Sequence, residues 1–225
     1  MGNGCKQAKN GLSDWSGQTG AVIVAHPDDE TLWAGGLLLT HPEARWHIVT
    51  LCRASDSDRA GKFEKILGAY NAAGAMGDMD DGPEQTPLNL ADIETAILQL
   101  LPANQYDLIL THSPAGEYTR HRRHEETAQA VLGLLRSNRL RTSALWMFAY
   151  QDHHRDSFPQ PINFADIHYP LTPAVWTQKY ELITKIYGFS TESWEAQTTP
   201  KTEAFWIFSS FDEVEKQIRK RSETQ

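Results

Sequence analysis

Four short apolar runs recur along the chain with helix-periodic stretches between them: AVIVAH (Ala21 to His26), WHIVTLC (Trp46 to Cys52), YDLILTH (Tyr106 to His112) and ALWMFAY (Ala144 to Tyr150). No other feature restricts the fold as much. Runs of this length without polar alternation suit strands buried on both faces, and strands separated by helices join through right-handed crossovers into a mostly parallel sheet covered on both sides. The expected class is therefore α/β. Between the strands, TLWAGGLLLTH has helical spacing, and so does GKFEKILGAYNAAGAMG, in which Phe63, Ile66, Leu67 and Tyr70 share a face. LADIETAILQLL reads as a third helix that stops at Pro102, and HRRHEETAQAVLGLLRS as a fourth. Beyond Tyr150 the pattern loosens: WTQKYELITKIYG reads as helical and TEAFWIFSS as a late strand. There are no internal repeats.

The chain has 225 residues, enough to bury one full core, so a single domain over residues 19–225 is expected behind a polar leader, residues 1–18. With 29 acidic and 21 basic residues the net charge is −8, which disfavours nucleic acid and anionic membrane surfaces as partners. Two cysteines, Cys5 and Cys52, make no disulfide framework, and no apolar segment is long enough for a signal or a membrane span; a cytoplasmic protein is the expectation. Met1-Gly2 lacks the Ser or Thr at the sixth position that myristoylation needs, since Lys6 stands there.

In parallel sheets ligands bind beyond the carboxyl ends of the strands. Three polar loops, HPDDE, CRASDSDR and HSPAGEYTRHRRH, directly follow predicted strands and should open onto one rim. In the first, His26, Asp28 and Asp29 fall within four residues. Hydrolytic zinc sites use three His or carboxylate ligands and leave a further position for water, so His26 and Asp29 suit two ligands and Asp28 suits the base that takes a proton from that water. His121 and His124, three residues apart on one helical face, are the candidates for the third; we take His124.

These motifs carry a resemblance. AHPDDE (Ala25 to Glu30) with a later H-x-x-H resembles the PIG-L/LmbE-like N-deacetylase superfamily, and LCRASDSDRAGKF and THSPAGEYTRHRRHEE look like one branch of it; the likeness spans roughly residues 20–150. It implies a Rossmann-like three-layer αβα sandwich, one divalent metal per chain, Zn2+ with Fe2+ the alternative, and removal of an N-acetyl or related acyl group from a small amino-sugar-like substrate. It implies the metal on His26, Asp29 and His124, the general base at Asp28, and at His121 a group that, as imidazolium, stabilises the oxyanion and protonates the departing amine. Arg59 and Tyr118 are the nearest matches to substrate-contacting residues. The chain departs from the common H-P-D-H pattern in reading His121-Arg122-Arg123-His124, so the aspartate that orients the first histidine is absent and Glu117 is the candidate to replace it. Tyr118 lies three residues before His121 where two is usual.

Asp58 is expected as a helix N-cap, Cys52 as a core residue at the end of a buried strand, and most of the tryptophans as core, with some forming a wall for sugar rings. His112 is expected behind the ligands, and His41, His47, His153 and His154 away from them. Gly35 and Gly36 lack the G-x-G-x-x-G register of a nucleotide loop. Two alternatives to deacetylation are an amidase for a larger acyl or thiol conjugate, and a metal- or sugar-binding module without turnover, which the altered H-R-R-H would suit. A homo-oligomer is compatible with all of these.

Overall fold

A computed structural model describes residues 15–118, 120–208 and 214. Its centre is a seven-stranded sheet in the order β3-β2-β1-β4-β5-β9-β8. Strands β1 (Thr19–Val24), β2 (Arg45–Cys52), β3 (Ala73–Met79), β4 (Gln105–Thr111) and β5 (Arg141–Phe148) are parallel, whereas β9 (Thr202–Phe208) and β8 (Ile167–Pro170) continue the sheet antiparallel. β6 (Tyr150–Gln151) and β7 (Gln160–Pro161) make a separate small ribbon. Helices α1 (Asp29–Thr40), α2 (Ser57–Tyr70) and α5 (Pro173–Glu181), with a π turn at Leu182–Ile186, gather on one side; α3 (Leu90–Leu100) and α4 (Arg122–Arg136) lie together on the other. The sheet is thus the middle layer of an α/β three-layer sandwich, as the alternation of apolar runs and helical stretches implies. Val22, Ile23, Ile48, Val49, Ile109 and Leu110 are fully buried in its centre. No helix among the described residues is long and apolar enough to cross a membrane.

β3 corrects the expected second helix, which does not run on to Gly77. It ends at Tyr70, where Asn71 turns left-handed at φ 52° and its N–H closes on the Gly68 and Leu67 carbonyls. AGAMGDM then forms the edge strand. Its letters look unlike a strand because the backbones meet closely: a Cβ on Gly74 would lie 2.5 Å from the Ile48 carbonyl oxygen, and one on Gly77 2.8 Å from that of Leu51.

Part of the expected leader packs on the fold. Trp15 is buried, with its ring 5.1 Å from that of His41 and 5.5 Å from that of Trp46, so the apolar packing reaches into the expected leader; residues 1–14 lie outside the described residues. The N-cap of α2 is Asp56, which accepts from the Asp58 and Arg59 N–H groups, and not Asp58. Of TEAFWIFSS, the first seven residues are β9; Ser209 and Ser210 lie outside the described residues.

Candidate metal centre and active site

The strand order reverses between β1 and β4, and loops leaving the carboxyl ends of strands on either side of such a reversal diverge and leave a crevice. His26, Asp28 and Asp29 follow β1, Asp81 follows β3, and His112, Glu117, Tyr118 and His121 follow β4, with His124 on the first turn of α4. A cavity of about 240 Å³ lies there, and its lining includes His26, Asp28, Asp29, Arg59, Tyr118 and His121. All the predicted site residues but His124 line it; His124, fully buried, packs beneath against His121 at a ring distance of 4.5 Å.

Hydrogen-bond partners settle which ring atoms face inward. His26 Nε2 is 3.1 Å from the Asp81 carboxylate, which accepts its proton and leaves a lone pair on Nδ1. His124 Nδ1 donates to Glu117 Oε2 at 2.7 Å, leaving the lone pair on Nε2. Asp29 is turned the same way: its Oδ1 accepts from the Trp33 indole N–H at 3.1 Å and Oδ2 is left facing the two rings. His26 Nδ1, Asp29 Oδ2 and His124 Nε2 then stand 3.1, 3.3 and 3.3 Å from one another. With both rings neutral, three acceptors crowded in this way repel unless a cation lies between them, either a metal ion or the protons that, against the effect of burial, Asp29 favours by raising the pKa of His26 and of His124. Zinc bonds of about 2.0–2.2 Å to nitrogen and oxygen would put neighbouring tetrahedral ligands about 3.3–3.6 Å apart, so this donor set fits such an ion.

Asp28 is different. Its Oδ2 lies 3.3 Å from the Arg59 guanidinium, and burial together with the neighbouring Asp29 charge pushes its carboxyl well above the usual range, as suits a proton acceptor. Asp29 itself is held well below that range: burial would raise it, but His124 and His112 outweigh the burial. Arg59 also stacks over the Phe189 ring at 4.8 Å. His121 packs between the rings of His26 (4.7 Å) and His124, and its buried Nδ1 has no hydrogen-bond partner. Burial and the nearby His124 and His26 push its pKa down to about 3, which favours the neutral ring over the imidazolium that the resemblance implies.

Glu117 does not reach His121. Its Oε2 accepts from both His124 and His112 Nδ1, and its Oε1 from the Ser113 N–H at 2.9 Å. His112 stands behind the ligands as expected; its Nε2 accepts the Ala25 N–H at 3.0 Å. Cys52 lies within ligand distance of His26 and Asp81, yet burial pushes its thiol up to about 12, so it remains protonated core. Sequence reasoning passed over Asp81 because β3 was unseen, although D-M-D-D-G has the polar rim character of the other loops. It also passed over Arg53, which sits in a left-handed conformation at φ 74° and pairs with Asp81, and over Trp194 and Glu195 of α6 (Trp194–Thr198), which wall the cavity from the far end of the chain.

Fold and site together define an α/β domain with a histidine–carboxylate cradle at the reversal point of a parallel sheet. The chain belongs to the PIG-L family: residues 21–135, just over half of it, match the family described as GlcNAc-PI de-N-acetylase. An uncharacterized protein of Acanthamoeba polyphaga mimivirus is 24% identical over 119 residues, 45% of this chain and 52% of that protein, so the match spans about half the length of that relative. Among solved structures, an N,N'-diacetylchitobiose deacetylase from Pyrococcus horikoshii superposes with a TM-score of 0.64 at 15% identity, covering 85% of this chain and 84% of that one. A teicoplanin deacetylase gives 0.57 at 13% identity over 85% and 98%. The 4-carboxy-2-hydroxymuconate hydratase of Pseudomonas putida gives 0.59 at 16% identity over 84% and 95%. These likenesses are of fold, and one fold here carries both deacetylases and a hydratase. The family supports a deacetylase-type hydrolase; the finer chemistry has to be argued from the site.

Proposed function

We propose that this chain is a zinc-dependent hydrolase that removes an acetyl or related small acyl group from the nitrogen of an amino-sugar-like molecule. The observation that carries the proposal is the convergence of the His26 Nδ1, Asp29 Oδ2 and His124 Nε2 lone pairs beside a carboxylate, Asp28, that none of them uses. Zinc held by those three atoms would supply a Lewis acid toward the amide carbonyl and make water acidic enough to lose a proton near neutral pH.

Asp28 takes that proton, and its raised proton affinity suits it to keep the proton until it passes to the departing nitrogen. His121, being neutral, presents a ring N–H to the carbonyl oxygen as charge develops there, without a full positive charge. Arg59 holds Asp28 in place and, with Tyr118, borders the volume left for substrate. A cavity of about 240 Å³ is smaller than the roughly 300–1,000 Å³ of drug-sized pockets, which favours one sugar-sized group over a large conjugate. The rings of Tyr118 and Trp194, 4.7 Å apart and inclined at 64°, border the cavity with aromatic groups of the kind a sugar ring packs on.

Asp28→Asn tests the assignment. Amine release from N-acetylated sugars should fall at least a hundredfold, in line with the roughly 10²–10⁴-fold contribution of a positioned base, while zinc per chain stays at the wild-type value. Loss of zinc with the activity would mean that Asp28, and not Asp29, is a ligand.

A further inference from the structure

Asp28 sits in a backbone conformation that an L-residue rarely adopts, φ 138° and ψ −30°. Such a conformation relaxes unless its surroundings hold it. The Asp28 carbonyl is held in the ordinary way, accepting from the Thr31 and Leu32 N–H groups as α1 begins. Its N–H is held by a side chain: Glu30 Oε2 accepts from it at 3.1 Å. Glu30 is fully buried, and of the two further donors to it one is its neighbour Thr31 and the other comes from far along the chain. Its Oε1 accepts from the Thr31 hydroxyl at 2.6 Å and from the Tyr187 hydroxyl at 2.7 Å, and Thr31 in turn accepts from the Tyr70 hydroxyl at 2.8 Å.

Tyr187 lies far along the chain, beyond the residues that match the family. The π turn Leu182–Ile186 ends against it, and the Tyr187 N–H closes that turn on the Leu182 carbonyl at 2.9 Å. Two residues on, Phe189 supports the Arg59 guanidinium, which in turn contacts the Asp28 carboxylate. One C-terminal segment therefore grips Asp28 twice, at its backbone through Glu30 and at its carboxylate through Arg59.

We propose that Glu30, anchored by Tyr187, is a positioning residue that holds Asp28 in its strained backbone conformation and so aims its carboxylate into the cavity. Glu30 need not touch substrate or metal to do this. The proposal rests on the hydrolase reading only for its effect on rate; the geometric effect stands apart from it. If Glu30 and Tyr187 were there for stability alone, removing the phenol hydroxyl would lower the melting temperature and leave Asp28 where it is.

The test is Tyr187→Phe, with Thr31→Val as a second variant that removes the other Oε1 donor from a different element. Each zinc-loaded protein is crystallised and assayed against N-acetylglucosamine and its alkyl glycosides. The expected result is Asp28 moved out of its φ near 138°, kcat lowered about tenfold with KM and zinc per chain unchanged, and Asp28→Asn costing about tenfold less in the Tyr187→Phe background than in the wild type, so that the double variant is no slower than Asp28→Asn alone. Asp28 unmoved in both variants, with any loss confined to melting temperature, overturns the proposal. If the wild type cleaves no N-acylated sugar, the hydrolase reading fails, and the Asp28 conformation in the variant crystals still decides the positioning role either way.

Discussion

Glu117→Gln offers a sharp perturbation, because the wild-type carboxylate is buried and each of its oxygens is committed: Oε2 to the Nδ1 protons of His124 and His112, Oε1 to the Ser113 N–H. The amide can be inserted in two orientations, and both fail. With its NH2 toward the histidines, two Nδ1 protons face a donor. Relief by tautomer exchange would put the His124 proton on Nε2, the atom aimed at Asp29, and the His112 proton against the Ala25 N–H. With its carbonyl toward the histidines, the Ser113 N–H is left buried against a donor, which costs about 1–3 kcal/mol, and His124 loses the negative charge behind it. Loss of such an outer partner typically weakens metal binding 10–100-fold, or about 1.4–2.7 kcal/mol. Competition with a chromogenic chelator should therefore show a zinc Kd raised at least tenfold, and the metal-free variant should melt several degrees lower. A Kd within threefold of wild type would refute the reasoning that Glu117 sets the His124 tautomer for metal binding.

Two further outcomes are expected. Trp15→Ala removes a nearly fully buried indole from against Trp46 and should destabilise the domain by about 3–5 kcal/mol, read from denaturant unfolding; a loss below about 1 kcal/mol would return residues 15–18 to the leader. Asp107 accepts from both the N–H and the hydroxyl of Thr19, at 2.8 Å each, and these bonds hold its carboxyl below the usual range. A depressed folded-state pKa means that its stabilising contribution is present above the unfolded value of about 3.9 and is lost as the pH falls through the folded value. Asp107→Asn should accordingly be less stable than wild type at pH 7, with the gap closing below about pH 4; a gap independent of pH would contradict this.

The parallel core was legible because strands buried on both faces have little choice of letters: Val22, Ile23, Ile48, Ile109 and Leu110 all stand where apolar, mostly β-branched runs predict them. The edge was not. β3 has glycine at 74 and 77 because the neighbouring Ile48 and Leu51 carbonyls leave no room for a Cβ there, and close packing of that kind leaves no periodic trace. The antiparallel strands β8 and β9 pair across a long segment that holds α5, the π turn and α6, and of these strands only β9 is apolar enough to be recognised.

The site divides in the same way. His26, Asp28 and Asp29 are adjacent in sequence and His121 and His124 share one helical turn, so they can be read as motifs. Asp81, Arg53, Glu117 and Trp194 act through partners brought together by the fold, and Asp81 was hidden with its strand. Glu117 stands four residues before His121 and seven before His124, and only the ring orientations show that it serves His124. The lowered pKa of His121 likewise depends on burial and on the His124 and His26 rings packed against it.

Amine release that depends on zinc is the property most directly open to measurement. Metal-free protein titrated with zinc should regain release of amine from an N-acetylated sugar in proportion to the zinc added, with a break at one equivalent, since His26, Asp29 and His124 converge on one point. Release that is undiminished after chelation, or zinc binding of that stoichiometry with no amine released from any N-acylated sugar, would contradict the proposed zinc-dependent hydrolysis.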